Sequence, residues 1–194
     1  MQEDFTISEL KANPEIYWLG SQIEEKESTS AQVKNLKELF EGYYGDCLIK
    51  EFQLFPSEIL KLLLQNNRLD EVGFHSSFFD QEELSDLRKE LKLETKKDSV
   101  ILKQFRTDIF TLGGSLARML AQGGPYAKLS ADEAWSTSLE FVKSEFDDRF
   151  KDVLFFDLAM PDAEWFDRIA WDYCFLLVDK KTFQVLFLAT TGTD

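Results

Sequence analysis

The residues with the most chemical potential in this chain lie between two apolar runs in its last third. They are Asp157, Asp162, Glu164, Asp167 and Asp172, interleaved with Arg168, Trp165 and Trp171. Carboxylates on a loop at strand ends can hold a hard cation such as magnesium or calcium, or work as an acid and base pair beside a sugar. Their spacing matches neither an EF-hand loop nor another fixed ligand pattern. The same residues suit a second purpose, because tryptophan supplies contact area while surrounding acids select a basic partner. Asp162, Glu164, Trp165, Asp167 and Arg168 are therefore the candidate binding residues. A third reading is structural, with the tryptophans in the core and the acids solvated or capping. Asp172 falls within the apolar run that follows, where a buried carboxylate needs a donor, either Arg168 or a backbone amide.

Other chemistry finds little to work with. His75 is the single histidine, so a site of several histidines is impossible and any Ser-His-Asp or Cys-His arrangement must pass through it. It stands in Gly73-Phe74-His75-Ser76-Ser77, which lacks a nucleophile-elbow context. Cys47 and Cys174 have no paired ligand spacing for structural zinc. Leu112-Gly113-Gly114-Ser115 precedes a helical pattern but lacks the Gly-Lys-Ser/Thr ending that sets a lysine and a magnesium-binding hydroxyl at phosphates. No metal and no cofactor is expected.

The elements that must position these residues are read from periodicity. Ile169 to Val178 and Thr182 to Thr190 are β-rich runs split by Asp179-Lys180-Lys181, a hairpin signal. Polar residues hardly interrupt them, so both strand faces should be covered, which makes them central strands. Cys47–Leu54, Leu69–Phe74 and Val153–Phe156 are further strand candidates. Thr6 and Glu9, Thr29 and Gln32, and Ser130 and Glu133 are spaced as capping boxes. Val33, Leu36, Leu39, Phe40 and Tyr43 recur at helical spacing behind the second box. Trp135, Leu139, Val142, Phe146 and Phe150 do so behind the third. Pro56 is set to open a helix through Leu64, and Asp80 to cap one bearing Leu84, Leu87 and Leu91. Asp108–Gln122 is a helix interrupted near its start by Gly113-Gly114 and stopped at Gly123-Gly124-Pro125. Ile16–Leu19 reads as a strand or an anchor, and Ser21–Ser30 as a polar connection. Helices early and strands late indicate α+β, an antiparallel β-sheet including a C-terminal hairpin packed against several amphipathic helices.

Composition bounds the function. The 194 residues fit a single globular domain, 1–194, and 18 Phe against 4 Pro and 9 Gly argue for a packed core rather than disorder. The apolar runs fall short of the roughly 20 residues of a membrane span, and the acidic start lacks the pattern of a secretory signal. A cytoplasmic location is the expectation, in keeping with two thiols. The net charge of −14 repels nucleic acid and anionic membrane alike. The acid is concentrated from Ser130 onward, with 14 acidic against 6 basic residues, while between Arg88 and Arg106 seven Lys/Arg outnumber three acids.

In general character, a small acidic α+β chain rich in aromatics is similar to bacterial immunity proteins, which block toxin partners with an acidic surface. The likeness is one of composition and carries no residue over. The expectation is a non-enzymatic acidic protein whose C-terminal third binds a basic protein partner. The alternative is a metal-dependent hydrolase or transferase using the aspartate cluster.

Overall fold

The computed structural model describes residues 5–28, 30–93, 100–103, 109–147, 149–169 and 171–192. Among them six strands form one antiparallel sheet: β1 (Gln22–Lys26), β2 (Gly45–Phe55), β3 (Ile101–Leu102), β4 (Val153–Ala159), β5 (Tyr173–Asp179) and β6 (Gln184–Gly192), in the spatial order β1-β2-β6-β5-β4-β3. The expected hairpin is β5 and β6, paired from Tyr173 opposite Thr190 to Val178 opposite Val185. Both are interior strands, and every residue of β5 is buried. Its turn is closed by the buried carboxylate of Asp179, which accepts the Lys181 and Thr182 amides at 2.8 and 3.1 Å and pairs with Arg149. Such an Asx-type turn sets the register by local hydrogen bonds.

The apolar runs are continuous because the sheet is covered twice. One face carries Phe52, Leu54, Phe156, Leu176, Val178 and Phe187 against α1 (Ile7–Ala12), α2 (Glu15–Trp18), α4 (Glu58–Gln65), α5 (Phe74–Phe79) and α6 (Ser85–Glu90), with a 3-10 turn at Glu82–Leu84 before α6. The other carries Val153, Phe155, Phe175, Leu177 and Leu188 against α3 (Ala31–Tyr44), α7 (Ile109–Gln122) and α8 (Ala131–Phe146). A strand between two helical layers has no polar side, which removes the usual alternation.

Local signals account for many of the boundaries. Thr6 with Glu9 and Ser130 with Glu133 form complete capping boxes for α1 and α8. Ser30 caps α3 through the Val33 amide at 3.2 Å; Thr29, expected in that role, lies outside the described residues. Ser57, one residue past Pro56, caps α4. Gly123, at φ 67°, ends α7, and any side chain there would collide with the Ala127 carbonyl.

Elsewhere the structure differs from the expectations. Gln22–Lys26 is an edge strand, although only Ile23 is buried in it. Ile16–Leu19 is an anchor rather than a strand: Tyr17 and Trp18 are buried on α2, and the Trp18 indole N–H donates to Ser77 at 3.0 Å. Leu69–Phe74 turns through left-handed Gly73 into α5 instead of extending. Asp80 is the C-cap of α5, and Gln81 stands at the N-cap of the 3-10 turn that follows. Gly113-Gly114 does not interrupt α7; Gly113 is buried where a β-carbon would meet Val142 and Leu139. On α8, Val142 and Phe146 are buried, whereas Trp135 and Leu139 on the expected stripe are half exposed.

Candidate functional site

The loop from Pro161 to Ile169 joins β4 to β5 and holds every candidate binding residue. Its shape comes from its apolar members. Met160, Ala163 and Phe166 are buried in the first core cluster, and two tight turns, Ala163 N–H to Met160 O at 3.2 Å and Phe166 N–H to Ala163 O at 3.3 Å, space them. Asp162 and Glu164, which lie between them, are turned outward, and Asp167 and Arg168, just past Phe166, are exposed as well. Trp165 is half buried. Its ring packs edge-on against Phe166 at 4.9 Å, and its amide donates to the Leu91 carbonyl at 3.3 Å, tying the loop to the segment after α6.

A second tie anchors the far end of the loop. The Thr191 hydroxyl donates to Asp172 Oδ1 at 2.7 Å, and Asp172 Oδ2 accepts the Ile169 amide at 2.9 Å. Thr191 Oγ also accepts the Asp167 amide at 3.3 Å. Asp172 stands one residue before β5 and is half buried, not enclosed within the strand. Of the two expected donors, the backbone amide is the one it uses. Arg168 takes a left-handed backbone, φ 59°, which turns the chain toward Asp172.

The loop divides its side chains between two hollows. Asp162, Arg168 and Asp172 line one with Lys103, Met160 and Cys174. Trp165 lines the other with Cys47, Lys50 and Glu90. Asp157 belongs to neither: it points from β4 to the opposite sheet face, where burial raises its pKa against the pull of Lys103, 3.6 Å away. Among the described residues no three His, Cys, Asp or Glu side chains are grouped to hold a metal ion.

Of the remaining candidates, Cys174 is buried and His75 and Cys47 are half buried. Burial lowers the pKa of His75 to about 4, and its Nδ1 is buried with no hydrogen-bond partner. Burial raises the Cys47 thiol to about 12 and raises Cys174 as well, so neither is a thiolate at neutral pH. Of the basic stretch, Arg88 lies 3.5 Å from Asp80, Lys89 2.7 Å from Asp86 and Lys103 3.6 Å from Asp157; positions 94–99 and 104–106 lie outside the described residues. The sequence reading missed the ion-pair cluster of Lys50 with Glu25 and Glu90, at 2.9 and 3.1 Å. No local pattern announces it, since strand pairing and the approach of α6 assemble it.

Fold and loop together define an α+β protein whose sheet is helix-covered on both faces and whose β4–β5 loop carries exposed acids beside a half-buried tryptophan. No protein-family model matches the chain, and no curated protein is similar to it. Among the described residues no helix is long and apolar enough to cross a membrane.

Proposed function

We propose that the protein is a non-enzymatic binding protein of the immunity-inhibitor kind, whose β4–β5 loop contacts a basic protein partner. One observation supports this above others. Buried Met160, Ala163 and Phe166 anchor the loop, and Asp162, Glu164 and Asp167 are exposed along it beside half-buried Trp165. A pre-formed acidic surface steers a basic protein over about a Debye length, and an aromatic side chain that loses its remaining water on contact holds it.

The test is capture from lysate of the source cell, then association kinetics on the captured protein at two salt concentrations. Replacing Asp162, Glu164 and Asp167 by lysine should slow association and flatten its salt dependence, while thermal melting of the same variant reads any folding cost separately, such as loss of the 3.5 Å contact of Asp167 with Thr191. Trp165→Ala should instead speed dissociation, by about 2 kcal/mol or more of binding energy. Its folding cost, from the lost packing on Phe166, is read separately by thermal melting. A partner whose binding ignores both salt and the triple reversal would refute the proposal.

A further inference from the structure

Among the described residues, half of β2 is a strand edge with no strand on it. β2 has 11 residues, but β1 covers only Glu51–Phe55. Residues 45–50 pair with β6 on one side and, among the described residues, with no strand on the other. The Leu54 amide donates to the Phe183 carbonyl beside β6 at 2.8 Å. In an antiparallel ladder that phase turns the amides of even-numbered β2 residues toward β6 and those of Cys47 and Ile49 toward the uncovered edge. Had β1 continued in register, Ser28 would face Ile49. The chain leaves the ladder after Lys26 instead, and the Ser28 hydroxyl is buried without a hydrogen-bond partner.

Natural sheets blunt their edges with charge. β1 obeys, with Glu24, Glu25 and Lys26 exposed along it. The open half of β2 carries charge only at its ends, Asp46 and Lys50, and its middle is the apolar run Cys47-Leu48-Ile49, half buried. A hollow of about 930 Å³ runs beside it, walled by Val33, Lys34 and Lys37 of α3 on one side and by Glu25, Glu90 and Trp165 on the other. The walls differ in sign. Strand alternation puts Asp46 and Lys50 on the Trp165 side, where Lys50 is already shared by Glu25 and Glu90, so acid is in excess there. The α3 wall carries Lys34 and Lys37.

We infer that the open half of β2 takes up an extended segment of a protein partner as an added antiparallel strand. The segment presents Lys or Arg at alternate positions to the Trp165 wall and apolar side chains to the α3 wall. Main-chain bonds at Cys47 and Ile49 hold it, and period-two side chains select it. The basic character of the segment rests on the function proposed above; the unpaired edge does not.

The probe is a nine-residue synthetic peptide of alternating lysine and valine, added to the intact chain and followed by amide hydrogen exchange. Exchange at Cys47 and Ile49 should slow by about tenfold or more, while Leu48 and Lys50, already bonded to β6, stay unchanged. N-methylating the peptide amides of one phase should abolish the effect, and methylating the other phase should leave it, at identical charge. No protection at Cys47 and Ile49, or equal tolerance of both methylation phases, overturns the inference. So does sedimentation showing a dimer protected there without peptide, which assigns the edge to a second copy. Reversal of Asp162, Glu164 and Asp167 separates the two readings. If the peptide fails while that reversal still slows the captured partner, the strand inference falls alone; if the peptide protects and the reversal does nothing, the loop reading falls alone.

Discussion

Asp179→Ala removes the group that closes the central hairpin. The carboxylate is 5% exposed, accepts two backbone amides and neutralises Arg149, whose side chain is 29% exposed. Breaking a buried ion pair from one side costs about 3–5 kcal/mol. Partial access of water to Arg149 argues for the lower end, and the freed Lys181 and Thr182 amides lie in a turn that water reaches. The expected loss is therefore about 3 kcal/mol, which for a chain of this size lowers the melting temperature by about 6–12 °C. Asp179→Asn separates the contributions. Its amide oxygen can still accept the Lys181 and Thr182 amides, but its NH2 then faces the Arg149 guanidinium, donor against donor, so this variant isolates the loss of the Arg149 partner and should be milder than Asp179→Ala only by the retained turn bonds, about 1 kcal/mol. Urea titration and thermal melting of both variants measure this. A shift under 2 °C for Asp179→Ala would refute the assignment of Asp179 as the anchor of the turn.

His75 should give the protein a specific acid sensitivity. Because burial holds its pKa near 4 against the usual 6.5, the unfolded chain takes up a proton that the folded chain refuses. That stability is intact above pH 6.5 and lost as pH falls from there toward 4. His75→Phe should shrink the drop in urea midpoint between pH 7 and pH 5, and equal drops in both proteins would count against it. Gly123→Ala should be destabilised by about 2 kcal/mol or more, because the residue sits at φ 67° and its new β-carbon would collide with the Ala127 carbonyl. Thermal melting settles that. Ser130→Ala should cost about 1 kcal/mol through loss of the α8 capping box, again read by melting.

What the sequence discloses here is what neighbouring residues decide. A capping box is complete within four positions, so Thr6-Glu9 and Ser130-Glu133 are legible without the fold. The hairpin is equally local, and its uninterrupted apolar runs imply two covered faces before any helix is placed. Gln22–Lys26 is different, because one buried residue in five gives no period and only pairing with β2 makes it a strand. Leu69–Phe74 has strand composition, yet left-handed Gly73 and the aromatics of α5 bend it into the core. Periodicity also fixes which side of α8 faces inward without saying where its margin lies, so Trp135 and Leu139 share spacing with buried Val142 but stand at the rim. In the candidate loop, exposure of the acids follows from the buried residues between them. The split of Trp165 from Asp162 and Arg168 into separate hollows does not, since it depends on where α6 and β2 lie. The open edge of β2 is still less visible, being a difference in length between two strands.

The pairing of β2 with β6 joins residues 131 to 147 positions apart, from Gln53 opposite Gln184 to Gly45 opposite Gly192, and closing so long a loop makes folding slow. At a synthesis rate of roughly 5–20 residues per second, β2 waits on the order of ten seconds for its neighbour to be made. Through that interval both of its edges are unsatisfied along 45–50, and Cys47-Leu48-Ile49 has neither β6 nor β1 beside it. The nascent chain is thus exposed to misassembly at the same residues that remain open in the finished fold, and a chaperone that shields extended apolar segments should raise the yield of native protein by acting there first.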